Sequence, residues 1–274
     1  MQKYSVLMSL YRKERPEYLR AALDSMIGQT VTPDEIVLVE DGELTDGLYG
    51  VVGEYKDKYP GLFTIVVLKR NHGLGPALNV GLKKCRNELV ARMDTDDISK
   101  PDRCEKQLKR FGEKPRLSIV GSHIDEFEGN ITNVISSRRV PLTSREIYEY
   151  AKRRSAFNHP AVMYRKSAVL KAGGYSKFKR NQDVELFGRM MFKGYKAENI
   201  DESLLWFRHS RELSERRRSR ENTWTYIAAI YGFWKMGYSS LLDLLIVAAA
   251  QTGMYLVPIG VQNFIYKRFL RRQS

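Results

Sequence analysis

Apolar residues along the first half of the chain follow two alternating rhythms. The short runs Val6 to Leu10, Ile36 to Val39, Phe63 to Leu68, Glu88 to Met93 and Leu117 to Val120 have the length and composition of buried parallel strands. Between them the spacing turns helical. Behind Pro16, residues Leu19, Ala22, Leu23, Met26 and Ile27 fall on one helix face. Further helices are predicted from Leu48 to Tyr59, where Pro60-Gly61 stops them, from Gly73 to Lys84, and from Pro101 onward. Strand and helix in strict alternation predict an α/β fold with a mostly parallel sheet covered on both faces. Ligands bind such sheets at the carboxyl ends of the strands. Three polar clusters fall there: Glu40-Asp41, Arg70-Asn71 and Asp94 to Asp97.

After Gly121 the pattern changes. His123 to Phe127 and Ile131 to Ile135 flank Glu128-Gly129-Asn130 and read as a hairpin. A helix from Ser144 to Arg153, a polar patch at Phe157-Asn158-His159-Pro160 and a helix from Gln182 to Lys193 follow. Nothing resembling a linker divides the chain before about residue 210, so residues 1–215 read as one domain. Its halves are 1–121 and 122–215. Residues 216–274 stand apart: a Trp- and Tyr-rich helix from Asn222 to Lys235, then Leu244 to Tyr266 without an Asp, Glu, Lys or Arg, then a basic end.

The chain has 274 residues, 43% of them hydrophobic, which supports a proper core and excludes a disordered chain. Its formal net charge of +14 calls for an anionic partner. Residues 206–274 alone carry eleven basic and four acidic side chains. Cys85 and Cys104 fit no disulfide framework and no zinc spacing, so both are expected as reduced thiols. The first residues enter a strand without a secretory pattern, and the expected location is cytoplasmic.

The acidic cluster carries the strongest chemistry. Three carboxylates in four positions repel one another, and gathering them at a strand end is costly without a cation. Oxygen ligands of this kind suit Mg²⁺ or Mn²⁺. The plainer alternative is an acidic turn in which Asp97 or Ser99 caps the next helix. Asp41 before Gly42 either accepts hydrogen bonds from a nucleotide or is an ordinary loop carboxylate. Asn71-His72-Gly73-Leu74-Gly75 lacks dinucleotide-fingerprint spacing, although a helix N-terminus there favours an anion. Asp183 at a helix start reads, on the residues alone, as a carboxylate that complements the helix dipole.

In order and spacing these pieces resemble the family 2 inverting glycosyltransferases of the GT-A fold, of the type that builds bacterial surface polysaccharides. The resemblance covers residues 3–215. It rests on Ser5 to Leu10 with Tyr11, Val39 to Gly42, Asn71-x-Gly73 through Asn79-x-Gly81, and Met93 to Asp97 with Pro101-Asp102-Arg103. Further on it includes Asn158-His159-Pro160, Gly173-Gly174-Tyr175, Gln182 to Leu186, and Trp206-Phe207-Arg208-x-Ser210. The resemblance implies a nucleotide-sugar site at Ser9, Tyr11, Asp41, Arg70, Asn71, Asn79, Asp94 and Thr95. It implies a metal on Asp94 and Asp96, and Asp183 as the general base. His209 lies where relatives with a third metal ligand take one; a solvated or capping histidine is the other reading. The implied donor is a UDP-sugar and the implied acceptor a saccharide or polyprenyl-linked saccharide in capsule, exopolysaccharide or O-antigen synthesis. Glu40 stands where an aspartate is usual, Leu78 where an arginine is common, and Gln182 where a glutamate is common.

Two other functions fit parts of the pattern. A sugar-phosphate nucleotidyltransferase wants a Gly-rich loop after the first strand, where this chain has Tyr11-Arg12-Lys13-Glu14-Arg15. A nucleic-acid binder wants basic residues interleaved with stacking aromatics, whereas the excess here lies at the C-terminus beside an apolar run. That run is interrupted by Gly253, Pro258 and Gly260, which suits helices lying on an anionic inner membrane face better than a span. The alternatives are a buried helix that closes the domain or a dimer contact.

Overall fold

A computed structural model describes residues 2–209 and 219–257. The first half of the domain is built as the apolar rhythm predicts. Strands β1 (Tyr4–Leu10), β2 (Glu35–Asp41), β3 (Phe63–Leu68) and β4 (Leu89–Arg92) pair in parallel in the order β3-β2-β1-β4. Helices α1 (Pro16–Ile27), α2 (Asp46–Lys58) and α3 (Leu74–Lys84) make the crossovers. Alternate β1 residues serve opposite faces. Val6, Met8 and Leu10 pack with α1 and α2, and Leu7 packs with Ala77, Leu78 and Leu82 of α3.

Beyond β4 the sheet becomes mixed. The short β5 (Ile98–Ser99) and α4 (Arg103–Glu113) lead into β6, a single strand from Leu117 to Phe127. The two separate runs expected there are continuous, because every position of β6 but one is buried. Strand β7 (Val134–Arg138) completes the expected hairpin three residues later than its apolar run began, after a turn over residues 128–133. Helix α5 (Ser144–Ala151) starts at a Thr143/Glu146 capping box. A 3₁₀ turn (His159–Ala161), β8 (Met163–Arg165), α6 (Lys166–Ala172), α7 (Gln182–Phe192) and β9 (Lys196–Arg208) follow. Strand β9 was not legible beforehand: Glu198, Asn199, Asp201 and Glu202 break its apolar pattern, yet it runs parallel to β6 along that strand's length.

The C-terminal region forms two helices, α8 (Arg220–Lys235) and α9 (Leu241–Leu256). Residues 210–218 and 258–274 lie outside the described part, and with them the basic runs and the end of the uncharged stretch. No helix among the described residues is long and apolar enough to cross a membrane. Helix α8 is part of the main core. Ile230 and Phe233 are fully buried, and Phe233 lies against Gly188 of α7, where a Cβ would come within 2.1 Å of its ring. Tyr238 Oη donates to the Tyr148 carbonyl at 2.6 Å, and Asp243 of α9 pairs with Arg153. The outer side of α9 leaves Leu241, Leu242, Leu245 and Ile246 exposed.

Phe233→Ala should therefore destabilise the whole protein by about 3–5 kcal/mol, the range for truncating a buried phenylalanine. Urea unfolding followed by circular dichroism reads this. An unchanged midpoint would show that α8 is not part of the cooperative core.

Candidate active site

Strand β4 delivers the acidic cluster. The chain leaves the sheet at Met93, and β5 returns it by pairing antiparallel with β9 through Ile98 opposite Trp206. Three contacts fix the loop between. Arg208 at the end of β9 donates its backbone N–H to Asp97 Oδ1 at 2.9 Å and its Nε to the Asp96 carbonyl at 2.8 Å. Its guanidinium lies 3.9 Å from the Tyr18 ring centre. From below, the fully buried Arg103 donates Nη2 to the Arg92 carbonyl at 2.6 Å. The sequence pieces around Arg103 and Arg208 thus shape the loop from outside it.

Asp94, Asp96 and Asp97 present carboxylate oxygens within 4.8 Å of one another. Burial and the neighbouring Asp94 and Glu14 push the Asp96 carboxyl up to about 7. Burial, Asp96 and Asp94 push Asp97 well above the carboxylate range. Asp97 Oδ2 is buried without a hydrogen-bond partner among the described residues. Crowded, dehydrated, acceptor-only oxygens fit a hard divalent cation, and these three residues would hold it. The capping alternative is not realised: Asp97 serves Arg208, and Ser99 Oγ accepts from Gln29 at 3.2 Å. His209 is not gathered into this cluster. Strand β9 continues beside β6 to its end, so the His209 N–H donates to the Phe127 carbonyl at 2.9 Å, and Asp97 takes the third place. Thr95 donates its hydroxyl to Glu14 at 2.8 Å, which ties the loop to the β1–α1 connection.

A cavity of about 970 Å³ opens at the carboxyl ends of β1, β2 and β3. Tyr11, Asp41, Arg70 and Asn71 line it together with Arg12, Lys13, Lys69 and Arg180. The five cations make it a place for an anion. Asp41 builds its wall: Oδ1 accepts the His72 N–H at 2.7 Å, Oδ2 accepts the Gly73 N–H at 2.9 Å, and Asn71 Nδ2 reaches the Asp41 carbonyl. Gly42 follows with φ +89°, and a Cβ there would meet the Asn71 nitrogen at 2.8 Å, so only glycine lets the two loops approach. Ser9 is half-buried at the end of β1 and is not among the cavity-lining residues. Asn79 is placed elsewhere. Its amide exchanges two hydrogen bonds of 2.8 Å with the Tyr175 backbone, which leaves it clamping α3 to the loop before α7.

Asp183 stands half-buried in the first turn of α7. Burial raises its carboxyl, while the backbone N–H groups of Asp183 and Val184 and then the Arg92 and Arg138 cations hold it down. His159 Nε2 and Tyr175 Oη share a hydrogen bond of 2.9 Å, and burial and Arg92 keep the imidazole neutral. Asn181, at φ 57°, precedes α7 and donates Nδ2 to the Asn222 carbonyl and to Thr225 Oγ1, both at 2.9 Å. Helix α8 thereby braces the segment that carries Asp183. Glu14, Arg92, Arg180 and Asn181 have no motif of their own; only the fold reveals them.

The sequence model of glycosyl transferase family 2 matches residues 5–176. Over 273 residues the chain is 38% identical to an uncharacterized glycosyltransferase of Haemophilus influenzae, covering 98% of this chain and all of that protein. It is 34% identical to the Escherichia coli UDP-Gal:alpha-D-GlcNAc-diphosphoundecaprenol beta-1,3-galactosyltransferase, covering 98% of this chain and 97% of that one. The mannosyltransferase PcManGT of Pyrobaculum calidifontis, solved with GDP-Man and Mn²⁺, superposes with a TM-score of 0.63 at 17% identity over 96% of this chain and 78% of that one. The fold is the GT-A fold.

The raised Asp96 carboxyl sets a direction for cation binding. Below about pH 7 a proton competes for Asp96, so the apparent Mn²⁺ affinity should rise as pH increases through that value. Calorimetric titrations at pH 6 and pH 8 read it, and equal affinity at both would contradict the crowding of the cluster.

Proposed function

Because the chain belongs to glycosyltransferase family 2, an enzyme family of polysaccharide biosynthesis, we propose that it transfers a hexose or N-acetylhexosamine from a UDP-sugar to a lipid-linked saccharide, with inversion. The observation that carries this reading is one sheet edge that holds both a cation-compatible carboxylate cluster and a separate, half-buried carboxyl at Asp183. Direct displacement at an anomeric carbon needs both: charge stabilisation at the departing diphosphate and a proton acceptor at the incoming hydroxyl.

Each group then has a place. The basic cavity takes the nucleotide diphosphate, with Arg70 and Asn71 on the loop that Asp41 fixes. Asp94, Asp96 and Asp97 hold Mg²⁺ or Mn²⁺, which when bound neutralises charge on the leaving diphosphate. The cation in PcManGT supports Mn²⁺ as the first to test. Asp183 takes the proton of the acceptor hydroxyl as its oxygen bonds to the anomeric carbon and the sugar–diphosphate bond breaks. Burial suits Asp183 to this by keeping it more basic than a surface aspartate. The E. coli relative supports galactose as the donor sugar and a diphosphoundecaprenol-linked GlcNAc as the acceptor.

A polyprenyl-linked acceptor lies in the inner membrane face, and the C-terminal helices fit that surface. Trp224 and Leu242 are 71% and 63% exposed, and Tyr231 and Trp234 lie partly open on α8. Aromatic and aliphatic side chains of this kind, with the basic residues that the flanking sequence carries, suit an anionic bilayer interface.

Two outcomes test the proposal. Asp183→Asn should keep donor binding and lower turnover by about 10²–10⁴, the usual contribution of a general base. Loss of UDP affinity with turnover preserved at saturation would move Asp183 to donor binding. Leu242→Glu with Leu245→Glu should abolish sedimentation with anionic vesicles while turnover on a water-soluble acceptor stays intact. Retained sedimentation would remove the α9 face from the interface.

A further inference from the structure

Arg92 ends β4 with its side chain 1% exposed and pairs through Nη2 with one carboxylate, Asp94. Its Nε and Nη1 are buried and have no hydrogen-bond partner among the described residues. A guanidinium carries five N–H donors and no acceptor, so one carboxylate oxygen satisfies only a small part of it. Buried charged donors are ordinarily paired, so these two call for acceptors that the described residues do not supply.

The position of Arg92 says which part of a ligand would supply them. Its Nη2 sits on Asp94 of the cluster, and Arg92 stands in register with Leu7, so its side chain leaves the sheet on the face where Leu7, Val90, Tyr175 and Phe187 of α7 pack. The guanidinium therefore lies between the cluster assigned to the diphosphate and the segments that carry Tyr175 and Asp183. His159 Nε2 and Tyr175 Oη are already engaged with each other at 2.9 Å. In a nucleotide-sugar the atoms between the leaving diphosphate and the incoming hydroxyl belong to the sugar ring. The diphosphate has its own cations in the cavity at Arg12, Lys69 and Arg70.

We propose that Arg92 is a sugar-binding residue, whose unpartnered N–H groups donate to hydroxyl oxygens of the transferred hexose while Asp94 holds the guanidinium in place. This rests on the nucleotide-sugar reading of the site. A planar fork can serve a carboxylate on one edge and hydroxyls on another, which a lysine ammonium cannot reproduce.

Arg92→Lys keeps a cation opposite Asp94 and removes the fork. With Mn²⁺ present, UDP should bind this variant as it binds wild type. The tighter ligand of UDP-galactose and UDP-N-acetylglucosamine should lose about tenfold in affinity, as expected for lost charged hydrogen bonds. Equal losses for UDP and UDP-sugar would assign Arg92 to the diphosphate or to the cluster's geometry, and no loss for either would leave it without a ligand role; both overturn the proposal. Should the variant fail to fold by circular dichroism, singly deoxygenated UDP-sugars on the wild type decide. At least one must bind about tenfold more weakly than its parent, and uniform affinity across the set refutes the contact. Wild-type protein that binds no UDP would refute the nucleotide-sugar reading itself, and this assignment with it.

Discussion

Asp94, Asp96 and Asp97 share a space of 4.8 Å, and their mutual repulsion in a poorly hydrated loop is the constraint that the surrounding structure answers. Arg92 places a buried cation against Asp94, and Arg208 gives Asp97 a backbone donor. The remaining imbalance appears as raised carboxyls at Asp96 and Asp97 and as a buried Asp97 oxygen that has no partner among the described residues. Such a loop favours a divalent cation as its complement. Elements distant in sequence are arranged to hold it open: α4 through Arg103, the end of β9 through Arg208, and the β1–α1 connection through Glu14.

The second carboxyl is held by different means. Asp183 depends on the loop that Asn79 clamps from α3 and that Asn181 ties to α8. The C-terminal helices are thus joined to the catalytic unit through Phe233 on Gly188 and through Asn222 and Thr225 on Asn181. This couples the face we assign to the membrane with the segment that carries Asp183. Removing α8 and α9 would take away core as well as surface, so substitutions on the exposed side of α9 separate the two roles where a truncation cannot.

Much of this was legible in the sequence because parallel strands buried on both faces are written as continuous apolar runs. Residues 4–10 and 35–41 and the helices between them could be read for that reason, and the cluster after β4 followed from where such strands end. Strand β9 could not, since its polar positions are exposed, as Asp201 and Glu202 are, pair with α4, as Glu198 does with Arg110, or are buried on backbone carbonyls, as Asn199 is on that of Ala156. Asn79 and His209 show where a motif stops being informative: it does not show how a side chain is placed, and in the fold the Tyr175 backbone takes both ends of the Asn79 amide while His209 is not gathered with the carboxylates of the cluster. Arg92 has no signal in the sequence, because an arginine at a strand end stands out only once its burial is known.

The central claim is that the carboxylate cluster binds a divalent cation together with a nucleoside diphosphate. Electron paramagnetic resonance of Mn²⁺, titrated into the full-length protein with and without UDP, measures this directly, with Asp96→Ala as the comparison. The account predicts that Mn²⁺ binds the wild-type chain, that UDP tightens that binding, and that the variant shows neither effect while keeping its melting temperature. Binding that UDP does not affect, or that survives in Asp96→Ala, would contradict it.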